Sequence, residues 1–327
     1  MTIVKKIEKG AIILAPMAGI TDSAFRRLCI SEGADIVYSE MISLQALYYN
    51  DKKTKMLMKH YKEEMPFVLQ VFGENGDIAE KVVREQINNC EDIDAIDINM
   101  GCPAPKIVKN GSGSALMKEP KKALKLIEKI VKVSKYPVSV KLRLGWDDSI
   151  LTAREISLGA QELGVKWIAV HGRTREQYYS GKANWNSLKA LNEELSIPFI
   201  ANGDIFTPED AKRAIDYIGT KSLMIGRGAQ GNPWIFNQIK DYLLSGEYKK
   251  IEPKIKLNMS RKHINLLSKE LGDKIAIREM RKHLSWYFKG LYMAAEMRNT
   301  VNRLDSKEEV LKLLDNYEQL LGERLDK

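Results

Sequence analysis

The sequence predicts an α/β protein: a (β/α)₈ TIM barrel followed by a small all-helical C-terminal domain. Three observations carry this reading. Eight short β-rich runs alternate with stretches of helical periodicity, which implies a parallel sheet with crossover helices. Each run is near-continuously apolar, as strands covered on both faces are. The length of 327 residues suits a barrel of ~250 residues plus an appendage.

The β-rich runs fall at residues 11–16, 35–39, 66–72, 95–99, 138–143, 167–171, 198–202 and 222–226. A helix-like segment at 22–30 follows the first. Amphipathic helices are predicted over 78–89, 120–133, 152–163 and 208–218, where apolar residues recur at three-to-four spacing. An open doubly wound sheet is the alternative. Its G-x-G-x-x-G fingerprint is missing, because Gly111-Ser-Gly113-Ser-Ala-Leu116 lacks the third glycine and follows no strand. After Gly246 no further strand is predicted. Helices are expected over 255–271, 274–289, 293–304 and 307–321, with Pro253, Gly272 and Gly290 as breaks. The expected division is therefore a catalytic barrel over 1–246 and a helical domain over 247–327.

Formal net charge is +9, a bias toward a polyanionic partner. The excess is local. Between Lys254 and Arg303, twelve Lys or Arg face four acids, whereas beyond Arg303 seven acids face four Lys or Arg. The three cysteines (Cys29, Cys90 and Cys102) form no C-x-x-C pair, which argues against a disulfide framework or a zinc site, and no metal is expected. The N-terminus carries charges where a signal peptide needs an apolar run, and no stretch approaches ~18 apolar residues. A soluble, cytoplasmic protein is expected.

A (β/α)₈ enzyme keeps its chemistry at the C-terminal ends of its strands. Those ends here are rich in hydrogen-bonding groups: Ser39-Glu40-Met41, Gln70, Asn99, Lys141 and Arg143, His171-Gly172-Arg173, Asn202-Gly203-Asp204 and Gly226-Arg227-Gly228. The last two close the seventh and eighth strands, the usual phosphate site of a barrel. Glycine lets backbone N–H groups approach a phosphate closely, and Arg227 adds charge in a fork geometry. Cys102, in Asp97-Ile-Asn99-Met-Gly101-Cys102-Pro103, stands just past a strand end, where a thiol can donate a proton to a substrate. Its ordinary alternative is a buried structural cysteine.

Residues 15–26 (Ala-Pro-Met-Ala-Gly-Ile-Thr-Asp-Ser-Ala-Phe-Arg), 97–103, 170–174 (Val-His-Gly-Arg-Thr), 200–204 (Ile-Ala-Asn-Gly-Asp) and 224–228 (Met-Ile-Gly-Arg-Gly) together resemble the bacterial tRNA-dihydrouridine synthases. The likeness covers the whole barrel in order and extends to Arg278-Glu-Met-Arg-Lys-His-Leu-Ser-Trp-Tyr-Phe-Lys-Gly290 in the tail, which resembles that family's RNA-binding helical domain. The resemblance implies an FMN-dependent, NADPH-driven reduction of the uridine C5=C6 bond in tRNA. By position it implies that Pro16, Met17 and Ala18 underlie the flavin ring. Gln70, Lys141 and His171 would contact its polar edge, and Asn202, Gly203, Asp204, Gly226 and Arg227 would hold the phosphate end. Cys102 would be the proton donor, with Asn99 and Arg173 near the target base. An FMN barrel acting on a small pyrimidine, such as dihydroorotate or a dihydropyrimidine, would share the flavin site, but the basic tail argues against it. An RNA-binding barrel without catalysis would need no Cys102.

If residues 278–289 form a helix, Arg278, Lys282, Ser285 and Lys289 fall on one face. Met280, Leu284, Tyr287 and Leu291 supply an apolar stripe that docks the helix and leaves the basic face outward for RNA.

Overall fold

The structure, a computed structural model, describes residues 1–325. Its strands are β1 (Ile12–Leu14), β2 (Ile36–Tyr38), β3 (Ile42–Ser43), β4 (Phe67–Phe72), β5 (Ala95–Met100), β6 (Val138–Arg143), β7 (Trp167–His171), β8 (Phe199–Asn202) and β9 (Ser222–Ile225). All pairings are parallel. The two-residue β3 stands outside the ring, with Ile42 opposite Val71 of β4. The other eight form the barrel: β2 pairs with β4 across β3, and β1 closes against β9 with Ile13 opposite Met224.

Side chains alternate across each strand with a period of two. Ile12, Leu14, Val37, Leu69, Ile96, Ile98, Val140 and Val170 belong to the apolar layer beneath the surrounding helices. Ile13, Tyr38, Val68, Ala95, Trp167, Ala169, Ile200 and Met224 form a separate core inside the barrel. Higher on the same inward rows the residue types change to Gln70, Asp97, Asn99, Ser139, Lys141 and His171. The barrel is thus apolar at its base and polar at its mouth.

The base is sealed by a helix the sequence analysis did not anticipate. Helix Ile3–Lys9 is capped by Thr2 and inserts Ile3 and Ile7 into the interior core. Ser222 fastens it, since its Oγ donates to the Ile7 carbonyl at 2.7 Å and accepts from the Ala11 N–H at 2.8 Å. Trp167 Nε1 donates to Tyr38 Oη at 3.0 Å across the interior, so the indole buries its one donor satisfied.

Helices Pro120–Val133 and Pro208–Ile218 coincide with the predicted segments, and Ser23–Ser31, Gly76–Glu85 and Ala153–Glu162 lie within a few residues of theirs. Helices Trp185–Glu194 and Ile235–Ser245 are additional. No helix among the described residues is long and apolar enough to cross a membrane. The tail comprises helices Pro253–Leu271, Asp273–Tyr287, Ala294–Val301 and Lys307–Leu325. Its core, with Leu257, Ile264, Met280, Leu284 and Tyr287, also takes in Ala24 and Leu28 of helix Ser23–Ser31 and Trp234. Arg27 pairs with Glu270 at the same contact. The tail therefore packs on the first barrel helix and shares a core with it.

Ile7 is 2% exposed, so Ile7→Ala leaves a cavity at the barrel base. The variant should lose about 2–5 kcal/mol in urea unfolding. A loss below about 0.5 kcal/mol, within the range of surface substitutions, would mean that the helix does not seal the barrel.

Candidate active site

The polar mouth is organised by a buried hydrogen-bond chain. Asp97, on β5 and fully buried, accepts from Ser139 Oγ at 2.6 Å and from Gln70 Nε2 at 2.7 Å. With its amide turned to donate to Asp97, Gln70 offers Oε1 upward to Asn99 Nδ2 at 2.9 Å. Asn99 Oδ1 is then left to accept from the backbone N–H groups of Gly101 and Cys102, at 3.1 and 2.9 Å. Each group has a single orientation that satisfies its neighbours, and the chain ends on the cysteine loop. Burial raises the Asp97 carboxyl to about 6, opposed by its hydrogen bonds from Ser139 and Gln70 and by the nearby Lys141 charge.

Two further clamps hold Cys102. The Ser114 N–H and Oγ both donate to the Cys102 carbonyl, at 3.1 and 2.9 Å. Gly113 makes this approach possible: its φ is +59°, and a Cβ there would lie 2.9 Å from the Cys102 carbonyl oxygen. Arg143 donates from Nε to the Gly101 carbonyl at 2.9 Å, and from Nη1 to the Thr174 and Tyr178 carbonyls at 2.8 and 2.9 Å. Tyr178 Oη reaches the Pro103 carbonyl at 2.9 Å. The Cys102 thiol lies half-buried in a cleft of about 310 Å³. Burial pushes its pKa up, opposed by the Ala104 N–H and by the Arg143 and Lys141 charges. The thiol is therefore protonated at neutral pH, with the Arg143 and Lys141 cations nearby.

The opposite end of the cleft is cationic. Asp204 Oδ2 accepts from Arg173 Nη2 at 2.8 Å and from the Ala183 N–H at 2.7 Å, and Oδ1 faces Arg227 Nη2 at 3.1 Å. Burial works to raise the Asp204 pKa, but these donors and charges outweigh it and hold the carboxyl below its usual value. The Arg227 guanidinium lies over the rings of Tyr179 and Phe206, 4.6 and 5.2 Å from their centroids. Lys141 Nζ donates to Asn202 Oδ1 at 3.2 Å, and Asn202 Nδ2 donates to the Met224 carbonyl at 2.7 Å. Burial, reinforced by the Arg143 charge, lowers Lys141 to about 8. Burial and the surrounding cations keep His171 neutral. At Gly203, φ is +126° and a Cβ would come within 2.9 Å of the Ala183 Cβ and 3.2 Å of His171 Cδ2, so only glycine fits.

Of the barrel residues singled out in the sequence, Pro16, Met17, Ala18, Asn99, Cys102, Lys141, His171, Asn202, Gly203, Asp204, Gly226 and Arg227 all line this cleft. Gln70 and Arg173 are not in the lining. Gln70 is fully buried one layer below, and acts through Asn99. Arg173, expected beside a base, is 2% exposed. Its Nε and Nη2 are engaged by the Ser180 and Gly181 carbonyls and by Asp204, while Nη1 has no hydrogen-bond partner among the described residues. Asp204 anchors two arginines. In the tail, Arg278 is exposed and Lys282 is half-buried beside Glu279. A Cβ on Gly19 would lie 3.9 Å from Lys282 Nζ, so this lysine sits at the rim of the cleft. Ser285 is turned inward to the Arg281 carbonyl. Sequence reasoning missed the aromatic rim of Tyr178, Tyr179 and Phe206, all at least 36% exposed. The adjacent tyrosines in the long 172–184 connection were the available signal.

A family model described as Dihydrouridine synthase (Dus) matches residues 13–323. The "tRNA-dihydrouridine synthase B" of Pasteurella multocida is 38% identical over 96% of this chain and 94% of its own length. That of Pseudomonas aeruginosa is 38% identical over 91% and 89%. A "probable tRNA-dihydrouridine synthase" of Rickettsia conorii is 40% identical over 90% and 89%. Among solved structures, histamine dehydrogenase from Rhizobium sp. 4-9 superposes with a TM-score of 0.53 at 11% identity, over 84% of this chain and 49% of that one. At that identity the match speaks for the fold alone.

Arg143 is one of the charges that lower the Cys102 pKa, so Arg143→Met should raise it. The pH profile of Cys102 alkylation by iodoacetamide, followed by peptide mass spectrometry, should move to higher pH. An unmoved profile would remove Arg143 from the electrostatics of the thiol.

Proposed function

The chain belongs to the dihydrouridine synthase family, and on that premise we propose that it reduces the C5=C6 bond of uridines in tRNA, with FMN as resident cofactor, NADPH as reductant and Cys102 as proton donor. The observation that carries this reading is a protonated thiol, clamped from three sides, at the mouth of a barrel whose other rim is cationic.

The residues present fit a flavin mononucleotide. Ala15, Pro16, Met17 and Met224 give an apolar wall, and Lys141, Asn202 and Arg227 give donors along one edge and end. Pro16, Met17 and Ala18 would underlie the ring, and Lys141 and His171 would meet its polar edge, with Gln70 supporting that edge through Asn99. Asn202, Gly203, Gly226 and Arg227 would take the phosphate end, where Asp204 orients Arg227. Bound FMN would supply the hydride, delivered to C6 of the base. Cys102 then gives its proton to C5, and the thiolate it leaves faces Arg143 and Lys141. A general acid placed this way typically contributes ~10²–10⁴-fold.

A uridine inside folded RNA must leave its stack to reach such a mouth. Tyr178, Tyr179 and Phe206 offer exposed aromatic faces at the rim on which an extruded base can stack. The basic tail helices would hold the RNA through its phosphates and shape, with Lys282 at the rim and the exposed Arg278 one turn away on the same helix. A tRNA substrate puts this activity in the cytoplasm.

Cys102→Ala should lower dihydrouridine formation by roughly 10²–10⁴-fold while leaving flavin content and flavin reduction by NADPH unchanged. Wild-type turnover by this variant would remove Cys102 from the reaction. Arg278→Glu combined with Lys282→Glu should weaken tRNA binding and flatten its salt dependence by about one to two units of slope, because fewer phosphates are neutralised. Unchanged affinity and slope would move the RNA footprint off this helix.

A further inference from the structure

Where the tail meets the barrel, three side chains with metal-binding chemistry converge, and none of them lines the cleft. Asp22 caps helix Ser23–Ser31, its Oδ1 accepting from the Phe25 N–H at 2.9 Å. His263 lies within helix Pro253–Leu271, and His283 on helix Asp273–Tyr287. One ligand atom from each lies within 4.8 Å of the others, and His283 Nε2 is 3.9 Å from Asp22 Oδ2. We propose that Asp22, His263 and His283 form a site for one divalent transition-metal ion of the zinc class, which ties the tail helices to the first barrel helix.

The second observation is what these imidazoles lack. Both are fully buried, yet His263 Nε2 and both nitrogens of His283 make no hydrogen bond. Buried polar atoms without partners are uncommon in native proteins, because each loses its hydration without a compensating hydrogen bond. On His263 the unpaired atom is Nε2. Its Nδ1 faces Tyr287 Oη at 3.3 Å, which leaves Nε2 free, as in metal sites whose histidines are oriented through their second nitrogen. The walls are apolar and aromatic. Phe25 lies 5.7 and 5.4 Å from the two imidazoles, and Trp286 packs on His283.

Two imidazoles and one carboxylate suit Zn²⁺ in preference to Mg²⁺ or Ca²⁺, which favour oxygen ligands. Zn–N distances of about 2.0–2.1 Å require the ligand atoms to close up by small side-chain rotations, with water as a fourth ligand. The cysteine spacing on which the sequence expectation of no metal rested does not bear on these residues, which lie far apart in the chain.

The test is a calorimetric titration of the full-length protein with Zn²⁺ after dialysis against a chelator, repeated with Co²⁺ and read by ligand-field absorption. One ion per chain should bind saturably, and Zn²⁺ should raise Tm. Asp22→Asn preserves the helix cap but removes the anionic ligand. His283→Gln removes an imidazole. Each should weaken binding about tenfold or more, with the metal-free Tm of Asp22→Asn confirming that the cap survives. Failure of the wild-type protein to bind a stoichiometric ion overturns the proposal. So does an ion held with equal affinity by both variants, which would place it elsewhere in the chain.

Discussion

A single buried carboxylate sets the orientation of the side-chain amides that lead to the cysteine loop at the mouth of this barrel. Asp97 can only accept hydrogen bonds when ionised, so Ser139 and Gln70 must donate to it. That choice fixes the Gln70 amide, which fixes the Asn99 amide, which leaves one oxygen for two backbone N–H groups at the cysteine loop. Reversing any member would leave a buried donor or acceptor unmet, at roughly 1–3 kcal/mol. The placement of Cys102 thus depends, through Asn99 in the cleft wall, on Gln70 and Asp97 beneath it, which do not line the cleft.

The rest of the architecture protects that chain. Below it, the interior is filled by Trp167, Tyr38, Val68 and Ala95 and closed by Ile3 and Ile7. Above it, Arg143 and Asp204 act as two hubs that gather loops from different strands. Arg143 collects the carbonyls of Gly101, Thr174 and Tyr178, and Asp204 collects Arg173, Arg227 and the Ala183 N–H. Charged groups spent on bracing leave few mobile side chains in the cleft. Preorganisation of that kind is what the proton-donor role proposed for Cys102 requires.

Much of this was legible in the sequence. Apolar runs and helical spacing defined the eight barrel strands, and most of the residues expected at strand ends do line the cleft. The departures have physical causes. Runs such as Ala95-Ile-Asp-Ile-Asn99 look near-continuously apolar, but their period-two polar residues face inward and build the buried chain that Gln70 belongs to. Helix Ile3–Lys9 is short and lysine-rich, and its two buried isoleucines are too few to register as an amphipathic pattern. Arg173 is placed near the target base by the family resemblance, and its internal hydrogen bonds could not be read from the sequence. Only the fold reveals that Asp204 and two loop carbonyls capture it. The Gly111-Ser-Gly113-Ser segment, discarded as a dinucleotide fingerprint, is the turn that clamps the Cys102 carbonyl, a contact between loops that no local pattern encodes.

The account's central claim is that the buried chain from Asp97 positions the cysteine loop. Gln70→Met severs the chain below the cleft while roughly keeping the side-chain volume. The direct measurement is amide hydrogen exchange at Gly101 and Cys102 in this variant against the wild type. The account predicts faster exchange at both amides by about fivefold or more, the equivalent of a hydrogen bond of about 1 kcal/mol lost from the loop. Equal protection in the two proteins would contradict it, and would leave the Arg143 and Ser114 clamps as sufficient to hold Cys102.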